Sequence, residues 1–151
     1  MCRAGSITGL PKREHKLMKS FEDVRAHLAA NHRLRASEPY FLSFDLEIPE
    51  GRRQGLYLAE LETEDGRKML RVSSPIAPFN DRDAARCLRF NWAQRVGYLA
   101  VGDLEGSPYL HLCENRPYSG MGPNELDRVT AEIGMLADKL EHLLSKGEDS
   151  L

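Results

Sequence analysis

His111 and Cys113 stand two residues apart in "YLHLCE", so on a strand their side chains share one face. With Cys87 they make three residues able to ligate a metal, and as a pair they set a thiol beside a base, the arrangement of a Cys–His nucleophile. The chain completes neither. No fourth ligand stands at a zinc-motif spacing, no third group is placed to orient the histidine, and Leu88 and Leu112 flank the two cysteines as they would small buried thiols. A thiol-dependent enzyme using Cys113 and His111 is therefore the alternative reading. The leading expectation has no catalytic residue, no metal and no cofactor.

Two pairs of carboxylates have simpler roles. Glu60 and Glu62 flank Leu61 on an expected strand, where a wet face accounts for them, and Asp81 and Asp83 precede a helix whose dipole favours negative charge at that end. His27 and His32 are five apart, the wrong interval for two ligands on one helical face. The phosphate-cradling glycine motifs and the H-E-x-x-H metal motif do not occur.

The elements that would carry these residues follow from periodicity. Leu17, Phe21, Val24 and Leu28 predict a helix over Lys12–Asn31. Leu42, Phe44, Leu46 and Ile48 alternate with Ser43, Asp45 and Glu47, the period of a half-buried strand. "GLYLAELET" and "RKMLRVSS" flank an Asp-Gly turn and predict a hairpin; Pro75 and Pro78 are expected to end it. "YLAVGD" and "YLHLCE" flank a turn at Gly106 and predict a second hairpin, and Leu126 to Leu144 repeat at helical spacing from Pro123 to Ser145. The expected fold is α+β, an antiparallel five-stranded sheet with three helices in the order α-β-β-β-α-β-β-α. One domain over residues 12–146 is expected, between a flexible tail at 1–11 and a short tail at 147–151.

Composition narrows the partners. The chain has 151 residues, 41% of them hydrophobic, and no apolar run or leader-like block suited to a membrane or to export, so a cytoplasmic protein is expected. Three cysteines at wide spacing suit reduced thiols. Residues 1–36 carry eight Lys and Arg against three Asp and Glu, and residues 37–151 carry thirteen against twenty. The basic residues are dispersed and have no aromatic stacking run beside them, so neither nucleic acid nor membrane is expected as a partner.

The helix in "AARCLRFNWAQRVGYLAV" has a further peculiarity. At 100° per residue, Arg82, Arg86 and Arg89 fall on one stripe, and Ala84, Ala85, Cys87, Leu88, Phe90 and Trp92 cover most of the remainder. That arc is wider than one core contact needs. Either a second helix of the same chain covers it, or a partner subunit does.

The element order, the segment "LRFNWAQRVGYLAV" with Asn91, and "LADKLEHLL" with Ala137, Asp138 and Glu141 resemble the type III secretion chaperone fold and the YbjN-like bacterial proteins. The resemblance spans roughly residues 17–146. It implies action without catalysis, a homodimer formed through the second helix and neighbouring strands, and a client or partner segment held on apolar surface. On that basis Ala84, Ala85, Leu88 and Trp92 are the expected dimer interface.

Overall fold

The computed structural model describes residues 17–145. Within them helix α1 (Phe21–Asn31) leads into strands β1 (Leu34–Glu38), β2 (Phe41–Ile48), β3 (Arg52–Glu62) and β4 (Lys68–Pro78). Helix α2 (Ala84–Ala93), strands β5 (Tyr98–Leu104) and β6 (Ser107–Pro117), and helix α3 (Pro123–Ser145) follow. The strands form one sheet in the order β1-β2-β3-β4-β6-β5, and every neighbouring pair is antiparallel. The α+β class, the antiparallel sheet and the three helices are as expected. The sheet has six strands rather than five.

The added strand is β1, with the sequence LRASE. Leu34 is its one large apolar residue, so no alternation marks it. Tertiary contacts hold it instead: the Arg25 guanidinium of α1 donates to the Ser37 hydroxyl at 2.7 Å and to the backbone carbonyls of Glu38 and Pro39 at 2.6 and 3.0 Å.

The first helix also differs from its expected start. Residues 12–16 lie outside the described residues, but Leu17 is exposed and non-helical, and α1 begins at Phe21. Ser20 is the reason. Its backbone is extended, and its hydroxyl accepts from the Asp23 N–H, so it caps the helix one turn after Leu17, the first residue of the apolar spacing.

Strand β4 runs through Pro75, the first of the two prolines expected to end it, and stops at the second, Pro78. Pairing with β3 extends from Glu62↔Lys68 to Tyr57↔Ser73, so Pro75 lies beyond the last paired position, where its missing N–H leaves no ladder bond unmade. Toward β6 the register shifts between Pro75 and Ala77. The gap beside β3 is filled by Gln54, which is buried and donates from Nε2 to the Ser74 hydroxyl at 2.8 Å and to the Pro75 carbonyl at 3.3 Å. Ser74 in turn donates to the Gly55 carbonyl at 2.6 Å.

One face of the sheet meets helices. Leu42, Phe44, Leu56, Leu58, Leu70, Val72 and Leu112 are fully buried there, against Leu126, Val129, Ile133 and Ala137 of α3 and Val24 and Leu28 of α1. At Gly134 any Cβ would collide with Leu46 of β2, so the absence of a side chain lets α3 lie close to the sheet. Residues of opposite parity, among them Tyr57, Ala59, Arg71, Ser73 and Cys113, point to the other face, and none of the described helices packs on it.

Gln54→Leu keeps the buried volume but strands the Pro75 carbonyl. We expect it to cost about 1–3 kcal/mol of stability in urea unfolding, with the circular dichroism spectrum of the native state unchanged.

Candidate protein interface

Helix α2 is set at the end of the sheet by a short series of local contacts. The Asn80 side chain accepts from the Arg82 N–H at 3.0 Å and caps a single 3-10 turn over Asp81–Asp83, and Arg86 then pairs with Asp83 at 2.6 Å. The helix buries Cys87 and rests half-buried Phe90 against the core. Gly97, at φ +91°, turns the chain into β5; its N–H donates to Glu114 at 3.1 Å. A left-handed backbone with Leu112 and Ile133 already within 3.2–3.3 Å of a would-be Cβ accepts only glycine there.

The strongest tie is Asn91. Strand β5 is the last in the sheet, and the N–H and C=O of Leu99 point to its open side. Both are taken by one side chain: Leu99 N–H donates to Asn91 Oδ1 at 2.7 Å, and Asn91 Nδ2 donates to the Leu99 carbonyl at 3.1 Å. The amide does at this position what a neighbouring strand would do, which blunts the edge. By alternation the backbone groups of Val101 and Asp103 face the same open side.

The expected interface residues come together on one surface. Ala84, Ala85, Leu88 and Trp92 are all exposed, Leu88 at 69% and Trp92 at 93%. Helical geometry places them between the side that carries Asn91 and the stripe of Arg82 and Arg89, and no described helix of the chain covers them. Of the two explanations for the wide apolar arc, a helix wedged under another helix of its own chain is not found among the described residues.

The other candidate residues are placed as follows. His111 and Cys113 do share one face of β6. His111 Nε2 donates to the Gly102 carbonyl at 3.1 Å, and Cys113 is 5% exposed, its thiol pushed up to about 11 by burial, against the opposing charge of Arg71 and a bond from Tyr98. Burial thus shifts that thiol away from the lowered range in which a cysteine is a ready nucleophile near neutral pH. Burial, with Asp83 nearby, likewise pushes Cys87 up. Among the described residues no three His, Cys, Asp or Glu side chains gather as a metal site.

Glu60 is not on a wet face. It shares the parity of Leu56 and Leu58, and accepts from the Tyr118 hydroxyl at 3.0 Å where the core ends. Burial and that carboxylate together push the Tyr118 phenol up. Glu62 pairs with Lys68 directly across the hairpin. His27 bonds to Asp127 at 2.8 Å, while His32 stacks on Phe44 with ring centroids 4.2 Å apart, its burial holding it below the usual histidine range.

No helix among the described residues is long and apolar enough to cross a membrane. No protein-family model matches the chain, and no curated protein matches it.

Two outcomes follow from this geometry. Asn91→Ala removes both bonds to Leu99; it should destabilise the fold by about 1–3 kcal/mol and make the Leu99 amide exchange with solvent at least about tenfold faster under native conditions. Native Cys113 should resist iodoacetamide at neutral pH and react increasingly as pH rises toward about 11, because its proton is held more tightly folded than unfolded.

Proposed function

We propose that the chain is a non-enzymatic protein-binding module of the type III secretion chaperone-like and YbjN-like kind, working as a homodimer in the cytoplasm and holding a segment of a partner protein. The observation that carries the reading is the exposure of Leu88 and Trp92 on a helix whose opposite side rests on the core through Cys87 and Phe90. Large apolar side chains grouped on one helix are an uncommon use of surface, and a tryptophan in such a group is the residue type that dominates protein contacts. Ala84 and Ala85 beside them let a second helix approach closely. The twofold arrangement sets the same patch on both subunits, so one arc satisfies itself. Asn91 occupies the adjacent strand edge at Leu99, which favours helix-on-helix contact over strand addition. The buried Cys113 gives the thiol-enzyme alternative no comparable support.

Light scattering should find the wild type dimeric at tens of micromolar. Since Leu88 is exposed within the single chain, Leu88→Glu should leave the fold intact and weaken association by about 2 kcal/mol or more, giving a monomer with unchanged circular dichroism. A monomeric wild type, or a Leu88→Glu variant that dimerises as well as the parent, overturns the interface.

A further inference from the structure

The sheet face turned away from α1 and α3 contains a polar hollow of about 250 Å³, lined by Arg35, Ala36, Ser43, Asp45, Gly55 and Tyr57. It lies on β1, β2 and β3, the far end of the sheet from β5 and α2, and owes nothing to the proposed dimer. Three features of the sequence build it. The register of β1 against β2 shifts between Leu34 and Ala36, which makes Arg35 the extra residue of a bulge, and bulges re-aim a side chain. Arg35 Nη1 thereby reaches Asp45, at 3.3 Å. Gly55 sits directly opposite Asp45 and leaves space: a Cβ there would stand 3.8 Å from Asp45 Oδ1, an ordinary contact.

Ser43 shows that the hollow is more than a dimple. The residue is 7% exposed and lies opposite Tyr57 across β2 and β3. Its hydroxyl has no hydrogen-bond partner among the described residues, and neither has that of Tyr57. Yet no polar side-chain atom fully shut from solvent lacks a partner there, so the part of Ser43 left open includes the hydroxyl itself, at the wall of the hollow. The hydroxyl is thus uncommitted and reachable from the hollow, where a polar ligand can take the place of solvent.

The walls therefore present one guanidinium, one carboxylate and two hydroxyls that have no hydrogen-bond partner among the described residues. A ligand of one sign alone is repelled by the opposite wall. One that brings both signs can replace the long Arg35–Asp45 contact, whose guanidinium is largely exposed, with two charge-assisted bonds. A second cleft of about 660 Å³ shares Arg35 and Asp45 and adds Arg33, Glu47 and Arg53, which gives a polar substituent room to extend.

We propose that this hollow binds a small zwitterion with the chemistry of a free α-amino acid bearing a polar side chain, its carboxylate on Arg35, its ammonium on Asp45, and the Ser43 and Tyr57 hydroxyls completing the contacts. Titrating the isotope-labelled full chain with the standard free amino acids, followed by backbone-amide NMR, tests it. At least one polar amino acid should shift the Ser43, Gly55 and Tyr57 amides saturably. N-acetylation or methyl esterification of that amino acid, each removing one charge, should weaken binding about tenfold or more. Ser43→Ala and Gly55→Ala should each weaken it about fivefold or more with native circular dichroism, the first by removing a hydroxyl, the second by filling the space with a tolerated methyl. The site is overturned if no free amino acid shifts these amides at about 10 mM, far above a millimolar dissociation constant. It is equally overturned if the blocked derivatives bind as well, if glucose or inorganic phosphate binds and the amino acids do not, or if the two folded variants bind like the parent.

Discussion

The packing of α3 against one side of the sheet is the contact to which the rest of the molecule adjusts. A helix of 23 residues is about 35 Å long, and six strands at the usual spacing span about 24 Å between the outermost pair, so one helix can cross the whole face. It is too narrow to cover that face alone. α1 fills the strip beside it with Phe21, Val24 and Leu28, and Gly134 brings the helix down onto Leu46. With those two helices in place the face is occupied, and α2 is left at the end of the sheet with one buried residue of its own.

A two-layer arrangement of this kind creates two problems, the free edges and the second face. Each outer strand has a neighbour from a helix. Arg25 of α1 reaches the β1 end and bonds the carbonyls of Glu38 and Pro39, and Asn91 of α2 occupies both groups of Leu99 on β5. In each case a single polar side chain satisfies two backbone groups and fixes a helix to a strand. The geometry at β5 has a further effect, because anchoring α2 through Asn91 turns Leu88 and Trp92 outward.

The second face is composed differently from the first. It has few large aliphatic side chains and many small or polar ones, such as Ser43, Gly55, Ala59, Ser73 and Cys113, with tyrosines between them. Side chains of that size leave hollows where neighbours on the sheet do not meet, as at Gly55. The prolines of β4 and the bulge at Arg35 add to this irregularity, since each interrupts the ladder where one strand departs from its partner.

What the sequence settled by itself was whatever depends on local periodicity and turn chemistry. α3 has the expected bounds, the two hairpins turn at Gly66 and Gly106, and the strand of Leu42, Phe44 and Ile48 buries those side chains as its alternation implies. The apolar arc of α2 was equally legible, because helical spacing fixes which residues share a surface. Tertiary structure alone decided that no described helix lies against that surface, since a hydrophobic arc reads the same whether a helix of the chain covers it or none does. It alone made a strand of LRASE, which is held by β2 and Arg25 rather than by its own pattern, and kept Pro75 inside β4, where the missing donor coincides with the end of pairing. Ser43, Asp45 and Gly55 carried no signal as a site. They meet only through strand register and a bulge, and those relations exist between strands rather than along the chain.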